Sequence, residues 1–83
     1  MEILEYTGRL DHLLALIKQA HPRHQGDLMR MFRNLKNDYL ILQCAAIECR
    51  RSHTVTARYT SAADRFDQNY SEVEQMTTLA LLL

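Results

Sequence analysis

The chain from Asp27 to Leu83 contains neither glycine nor proline. A protein rich in strands needs several turns, and turns draw heavily on those two residues. Runs of alternating apolar and polar residues are also missing. The sequence therefore predicts an all-α fold, either a three-helix antiparallel bundle or an extended helical hairpin, with a coiled-coil-like central seam. Its 83 residues fit a single helical domain spanning 1–83.

Three helices are expected, over residues 2–20, 27–52 and 56–80. Apolar residues recur at helical spacing through the first of them. Residues 21–26 hold the one cluster of helix breakers, Pro22 and Gly26, and are interpreted as a loop with Asp27 capping the second helix. Gly8 interrupts the first helix, where we expect it to permit close packing against a neighbouring helix.

The second helix carries a regular apolar pattern. Its members alternate at steps of four and three residues: Leu28, Phe32, Leu35, Tyr39, Leu42, Ala46 and Cys49. This spacing is typical of coiled coils and of closely packed antiparallel helices, and we call these residues the seam. A second apolar set lies outside the seam: Met31, Leu40, Ile41, Ala45 and Ile47. A helix that is apolar on more than one face must be covered by more than one neighbour.

The boundary between the second and third helices is expected at a segment with low helix propensity. Three β-branched residues in succession, Thr54 to Thr56, disfavour a helix, and the apolar pattern resumes after them in a shifted phase. We therefore expect a bend or a short break near residues 52–56. The sequences Ser61-x-x-Asp64 and Ser71-x-x-Glu74 fit either a helix start or an exposed pair within a helix. A single helical rod over 27–80 is the rival arrangement.

Charge is balanced overall but unevenly distributed. Ten basic and ten acidic residues give a net charge of zero, which points to no particular partner. Residues 21–60 have seven basic and three acidic residues, whereas residues 61–83 have one basic and four acidic. We expect an acidic third helix to lie antiparallel to a basic second helix, with ion pairs that set orientation more than stability.

Catalysis, cofactor binding and metal binding have no recognisable motif here. Four histidines and two cysteines lack the tight pairs of a zinc site, and a phosphate-binding glycine loop is missing. Cys44 and Cys49 would point to different faces of a helix, so we expect no disulfide between them. The start lacks the pattern of a signal peptide, and no apolar run approaches the roughly 20 residues of a membrane span. We expect a cytoplasmic non-enzyme without cofactor, metal or membrane partner.

Protein–protein interaction is the function that the pattern favours. We expect a small adaptor, chaperone or inhibitor that binds a protein partner, or a second copy in a homodimer, through apolar helix faces. The candidate interface residues are Leu28, Phe32, Leu35, Tyr39 and Leu42 in the seam, and Leu79, Leu82 and Leu83 near the C-terminus. The other interpretation of the C-terminal leucines is that they close the core of the same chain beside the first helix. The alternative is a small nucleic-acid-binding regulator with an arginine-rich central helix. Its candidate contacts are Arg30, Arg33, Lys36, Arg50 and Arg51.

Overall fold

The computed structural model describes residues 3–83, so the expected helix start at residue 2 lies outside the described residues. Within that range the chain forms three helices and no strand: α1 (Ile3–Gln19), α2 (Pro22–Ser52) and α3 (Ala57–Leu82). The predicted all-α fold is confirmed. α2 and α3 run antiparallel, since Glu48 pairs with Arg58 near their turn, whereas Leu35 and Val73 line one groove further along.

The start of α2 differs from the expectation. The loop predicted over 21–26 is wrong, because α2 already begins at Pro22. The fixed φ of proline suits the first residue of a helix, where its missing N–H is not needed. His21 caps the helix in place of Asp27, and its Nδ1 accepts the N–H of Arg23 at 3.2 Å. Pro22 therefore begins this helix, and Gly26 lies within its second turn without breaking it.

The predicted break near residues 52–56 is confirmed, and the single continuous rod is wrong. Residues 53–56 separate the two long helices. His53 adopts the left-handed conformation, with φ 56° and ψ 29°, and its N–H donates to the carbonyl of Cys49 to close α2. The hydroxyl of Thr56 accepts the N–H three residues further on at 3.2 Å, which caps α3.

α3 is continuous from Ala57 to Leu82. The pairs Ser61-x-x-Asp64 and Ser71-x-x-Glu74 both lie inside it, so neither of them starts a helix. The one fully buried polar side chain of α3 is Thr77, whose hydroxyl donates to the carbonyl of Val73 at 2.7 Å. That bond satisfies the hydroxyl within its own helix, which explains why a threonine is tolerated in the core.

The core lies along the seam of α2, between the three helices. Its buried members are Tyr6, Leu10, Leu13, Ile17, Ala20, Leu28, Phe32, Leu35, Leu42, Ala45, Ala62, Ala63, Phe66 and Val73. Phe66 of α3 is fully buried at the centre. Its ring meets Tyr6 of α1 edge-on at a centroid distance of 5.0 Å and lies 6.4 Å from Tyr39 of α2. One aromatic side chain therefore joins all three helices.

α1 occupies one of the two grooves of the α2–α3 hairpin. Arg9 of α1 donates to Asp67 of α3 at 2.8 Å, and the hydroxyls of Thr7 and Tyr39 are hydrogen-bonded at 2.8 Å. The other groove, lined by residues of α2 and α3 alone, remains open. The hairpin is therefore covered on one side and leaves its other side and its outer faces to solvent.

Gly8 and Gly26 both lie on exposed helix surface, and a Cβ built at either position has no atom within 4 Å. The close helix contact expected at Gly8 is therefore wrong. Because glycine in a helix costs about 0.5–1 kcal/mol relative to alanine, Gly8→Ala and Gly26→Ala should each raise the free energy of unfolding by about that amount. Urea denaturation measures it. Lower stability in either variant would show that the added methyl meets an obstruction.

Stability should fall in alkaline solution because three tyrosines are held neutral by the fold. Burial is the main cause that raises the pKa of Tyr6, Tyr59 and Tyr70 above the ordinary 10.0. Above that pH the unfolded chain loses these protons first, so their contribution is complete below pH 10 and declines as the pH rises through the folded-state pKa values. The urea midpoint should therefore drop above pH 10. A midpoint that stays constant there would contradict this linkage.

Candidate functional site

The eight residues expected at a partner interface fall into two classes. The five seam residues form the first class. Leu28, Phe32, Leu35 and Leu42 are buried in the core of the chain itself, and Tyr39 is half-buried. They cannot touch a partner in this conformation, and the seam is an intramolecular contact. Leu79, Leu82 and Leu83 are 55%, 78% and 85% exposed, so they remain candidates for binding.

The outer face of α2 carries apolar surface that the seam does not account for. Leu40, Cys44 and Ile47 stand at steps of four and three residues, which places them on one face of a helix. Leu40 is 56% exposed, Ile47 is 48% exposed, and Cys44 is an exposed free thiol. They line one shallow pocket. We call these three residues the α2 stripe.

The sequence contained a signal for this face. Leu40 and Ile47 belong to the second apolar set, which calls for a further neighbour beyond the seam. In the structure Ala45 of that set is buried and Met31 is half-buried, but the three larger aliphatic residues stay about half exposed. Ile41 lines the open groove between α2 and α3, whereas Leu40 and Ile47 lie on the outer face. Cys44 belongs to neither of the two apolar sets that the sequence defines. Its place between two exposed aliphatic residues was the available clue.

Cations border the α2 stripe at both ends. Arg33 and Lys36 precede it and Arg50 and Arg51 follow it, and all four side chains are exposed. Within the described residues, none of the four forms an ion pair with the rest of the chain. The outer face of α2 therefore has an apolar centre and two basic ends that the fold itself does not neutralise.

The ion pairs between α2 and α3 have the opposite polarity to the one expected. Glu48 of α2 lies 3.2 Å from Arg58 of α3, and Asp38 of α2 lies 3.4 Å from Arg65 of α3. α2 supplies the carboxylate in both pairs. The expected attraction between a basic second helix and an acidic third helix is therefore not what holds this hairpin, and the surplus basic charge of α2 faces outward.

The last turns of α3, together with Leu83 directly after it, form a second apolar surface. Met76, Leu79 and Leu83 are 49%, 55% and 85% exposed and follow Glu72 at steps of four, three and four residues. We call these four residues the α3 end surface. After Arg65 the chain contains no further basic residue, so this surface lies on the acidic part of the helix.

The open groove between α2 and α3 has a different character. Asp38 is 8% exposed, and one of its carboxylate oxygens accepts a hydrogen bond of 2.6 Å from Asn69 Nδ2. Its other oxygen lies 3.4 Å from Nε of Arg65. A carboxylate withdrawn from water is costly unless hydrogen bonds and an opposite charge compensate for the lost hydration. This network ties the middle of the hairpin together and explains why Asp38 occupies a buried position.

The five expected nucleic-acid contacts are all exposed on α2 but do not form one track. Arg30 is already paired with Asp27 at 2.8 Å. The other four are divided by the α2 stripe, and Arg33 and Arg50 stand about 25 Å apart along the helix axis at 1.5 Å per residue. A duplex presents a charge every few ångströms, which a continuous row of cations matches better than two separated pairs.

No family model, curated protein or solved structure matches this chain. In the part of the chain that the structure describes, none of the helices combines the length and the apolar character needed to cross a membrane. Over the same residues, histidine, cysteine and carboxylate side chains form no group of three or more that would ligate a metal ion. The α2 stripe and the α3 end surface are therefore the basis for assigning a function.

Proposed function

We propose that this chain is a protein–protein interaction module that binds a partner polypeptide through the outer face of α2. The α2 stripe carries this proposal: two half-exposed aliphatic side chains in helical register, on a face that the rest of the described chain leaves uncovered. Contiguous exposed apolar surface with a polar rim is typical of interaction sites. Partner helices that bind in this way use anchors at steps of three and four residues.

The arrangement of charge supports a polypeptide over a nucleic acid as the ligand. Apolar side chains occupy the middle of the basic face, where phosphate contacts would need donors. A partner helix with apolar residues in its centre and acidic residues at its ends would satisfy both parts of the face. Adaptors, chaperones and inhibitors bind through surfaces of this kind, and an exposed free thiol at Cys44 supports a reducing, cytoplasmic setting.

The exposed thiol of Cys44 offers a direct test. A thiol-reactive photo-crosslinker attached there, in a Cys49→Ala background, should yield one discrete polypeptide adduct when the labelled chain is irradiated in its native host. Ile47→Glu should remove the adduct, because a carboxylate on the α2 stripe opposes burial. The matched control is Gln68→Cys in a Cys44→Ser, Cys49→Ala background, which places the same label on an exposed face of α3.

Two outcomes would contradict the proposal. The first is that positions 44 and 68 give the same mixture of adducts, which would show collisions without a specific site. The second is that nuclease treatment removes the adduct at position 44, which would favour the nucleic-acid alternative. In that case the affinity should also fall steeply as salt is added.

A further inference from the structure

We propose that the α2 stripe receives the α3 end surface of a second copy of this chain, as an antiparallel helix pair between the two copies. This inference rests on the proposed function and names the partner of the same site. Three observations carry it: the two surfaces match in spacing, they carry opposite charges where Arg51 would meet Glu72, and they lie too far apart to meet within one chain.

The spacing of the two surfaces coincides when the helices run in opposite directions. Read backwards from Arg51, α2 presents exposed residues at steps of four, three and four, and α3 presents the same steps forwards from Glu72. The register places four pairs opposite one another: Arg51 with Glu72, Ile47 with Met76, Cys44 with Leu79, and Leu40 with Leu83. Steps of this kind keep side chains on one line of contact between packed helices.

The charges of the two surfaces are complementary at one end of the contact. In this register the basic end of the α2 stripe meets Glu72, and the other side chains in the contact are apolar. Packing two α2 stripes against each other would instead bring together faces that both carry unpaired arginines. Charge complementarity across an interface fixes register and excludes wrong partners, so the α3 end surface is the better occupant of the two that a second copy could offer.

One chain cannot make this contact with itself. Val73 of α3 lines a groove together with Leu35 of α2, so these two residues stand at the same level of the hairpin. From that level Cys44 lies in one direction along α2 and Leu79 lies in the other along α3. At 1.5 Å per residue, the centres of the two surfaces are about 20 Å apart along the hairpin. The contact is therefore between copies.

The contact is heterologous, because different surfaces meet. The assembly closes if the rotation between successive copies completes a ring, and it propagates into longer assemblies if the rotation does not. Each contact covers about three helical turns, which is small against the roughly 1,200 Å² buried in a stable complex. We therefore expect self-association in the micromolar range or weaker, visible as a mass that rises with concentration in sedimentation experiments.

Disulfide trapping tests the register. In Leu79→Cys, with Cys49→Ala, mild oxidation should link Cys44 of one copy to the new thiol of a second copy, because the register puts them opposite each other. The matched control, Gln68→Cys in the same background, places a thiol on exposed α3 surface outside the contact and should link at least about tenfold more slowly. Cys44→Ser should abolish the link in Leu79→Cys. Equal rates at positions 68 and 79 would overturn the register.

Charge exchange tests the same contact without a covalent bond. Arg51→Glu and Glu72→Arg should each weaken self-association several-fold, because each places like charges opposite one another, and the double variant should restore it. Failure of the double variant to recover would contradict the pairing. If the wild-type chain stays monomeric up to its solubility limit while the Cys44 crosslinker captures a different protein, this inference fails and the proposed function stands. If the chain stays monomeric and the Cys44 crosslinker also captures no protein, both this inference and the proposed function are wrong.

Discussion

Replacing Phe66 by alanine is expected to remove a large part of the stability of this fold. The ring is fully buried and touches the aromatic side chains of Tyr6, Tyr39 and Tyr70, which come from all three helices. Truncating a buried phenylalanine costs about 3–5 kcal/mol, through lost burial and the cavity that remains. Since small domains are stabilised by only about 5–15 kcal/mol, the loss is a large part of the total.

Thermal unfolding followed by circular dichroism measures this loss. For a chain of this length each kcal/mol corresponds to about 4–8 °C, so the melting temperature of Phe66→Ala should fall by at least about 12 °C. The matched control is Leu82→Ala, since Leu82 is 78% exposed and its truncation should change stability by less than about 0.5 kcal/mol. If the melting temperature of Phe66→Ala equalled that of the wild-type chain, this aromatic cluster would not be what holds α1 in place.

The parts of the fold that follow from apolar spacing were predictable from the sequence. The steps of four and three from Leu28 to Leu42 identified the side of α2 that is buried, because a helix core is a periodic property of the chain. The break before α3 was predictable for a related reason. Consecutive β-branched residues disfavour a helix locally, and the shift of phase at Val55 showed that two helices meet there.

Features that depend on position within an element were less predictable. Pro22 and Gly26 indicate a loop when counted as breakers, but proline at the first position of a helix promotes it, and an exposed glycine later in the helix costs only about 1 kcal/mol. The polarity of the ion pairs was also unpredictable. Summed charge over a segment does not say which side chains face the neighbouring helix, and Asp38 and Glu48 happen to do so.

The candidate site was likewise predictable from the sequence only in part. A regular pattern on α2 indicates burial but does not say by which chain. The seam was therefore expected to contact a partner, whereas α1 and α3 of the same chain cover it. α1 covers one groove of the hairpin and leaves the α2 stripe exposed. The basic residues of α2 also point to a partner only once the ion pairs are known. The ion pairs within the described chain do not involve Arg33, Lys36, Arg50 or Arg51.

Replacing Leu40 and Ile47 together by serine should separate binding from folding. Each side chain is about half exposed, so a partner that covers the remainder gains about 1 kcal/mol from each of them. Losing both contributions, about 2 kcal/mol, weakens binding roughly 30-fold. The fold loses only what the buried halves contribute, at most about 1 kcal/mol each, together with a few tenths of a kcal/mol per residue in helix propensity. Crosslinking yield at Cys44 and sedimentation measure the first effect, and urea denaturation measures the second.

The matched control for this pair is Leu35→Ser on the opposite face of the same helix. Leu35 is 1% exposed, so serine there leaves a cavity and a hydroxyl in the core and should cost at least about 3 kcal/mol of stability. If the Leu40→Ser, Ile47→Ser variant lost as much stability as Leu35→Ser, the α2 stripe would have to be part of the core. If it instead kept both its stability and its partner, the outer face of α2 would not be the binding surface.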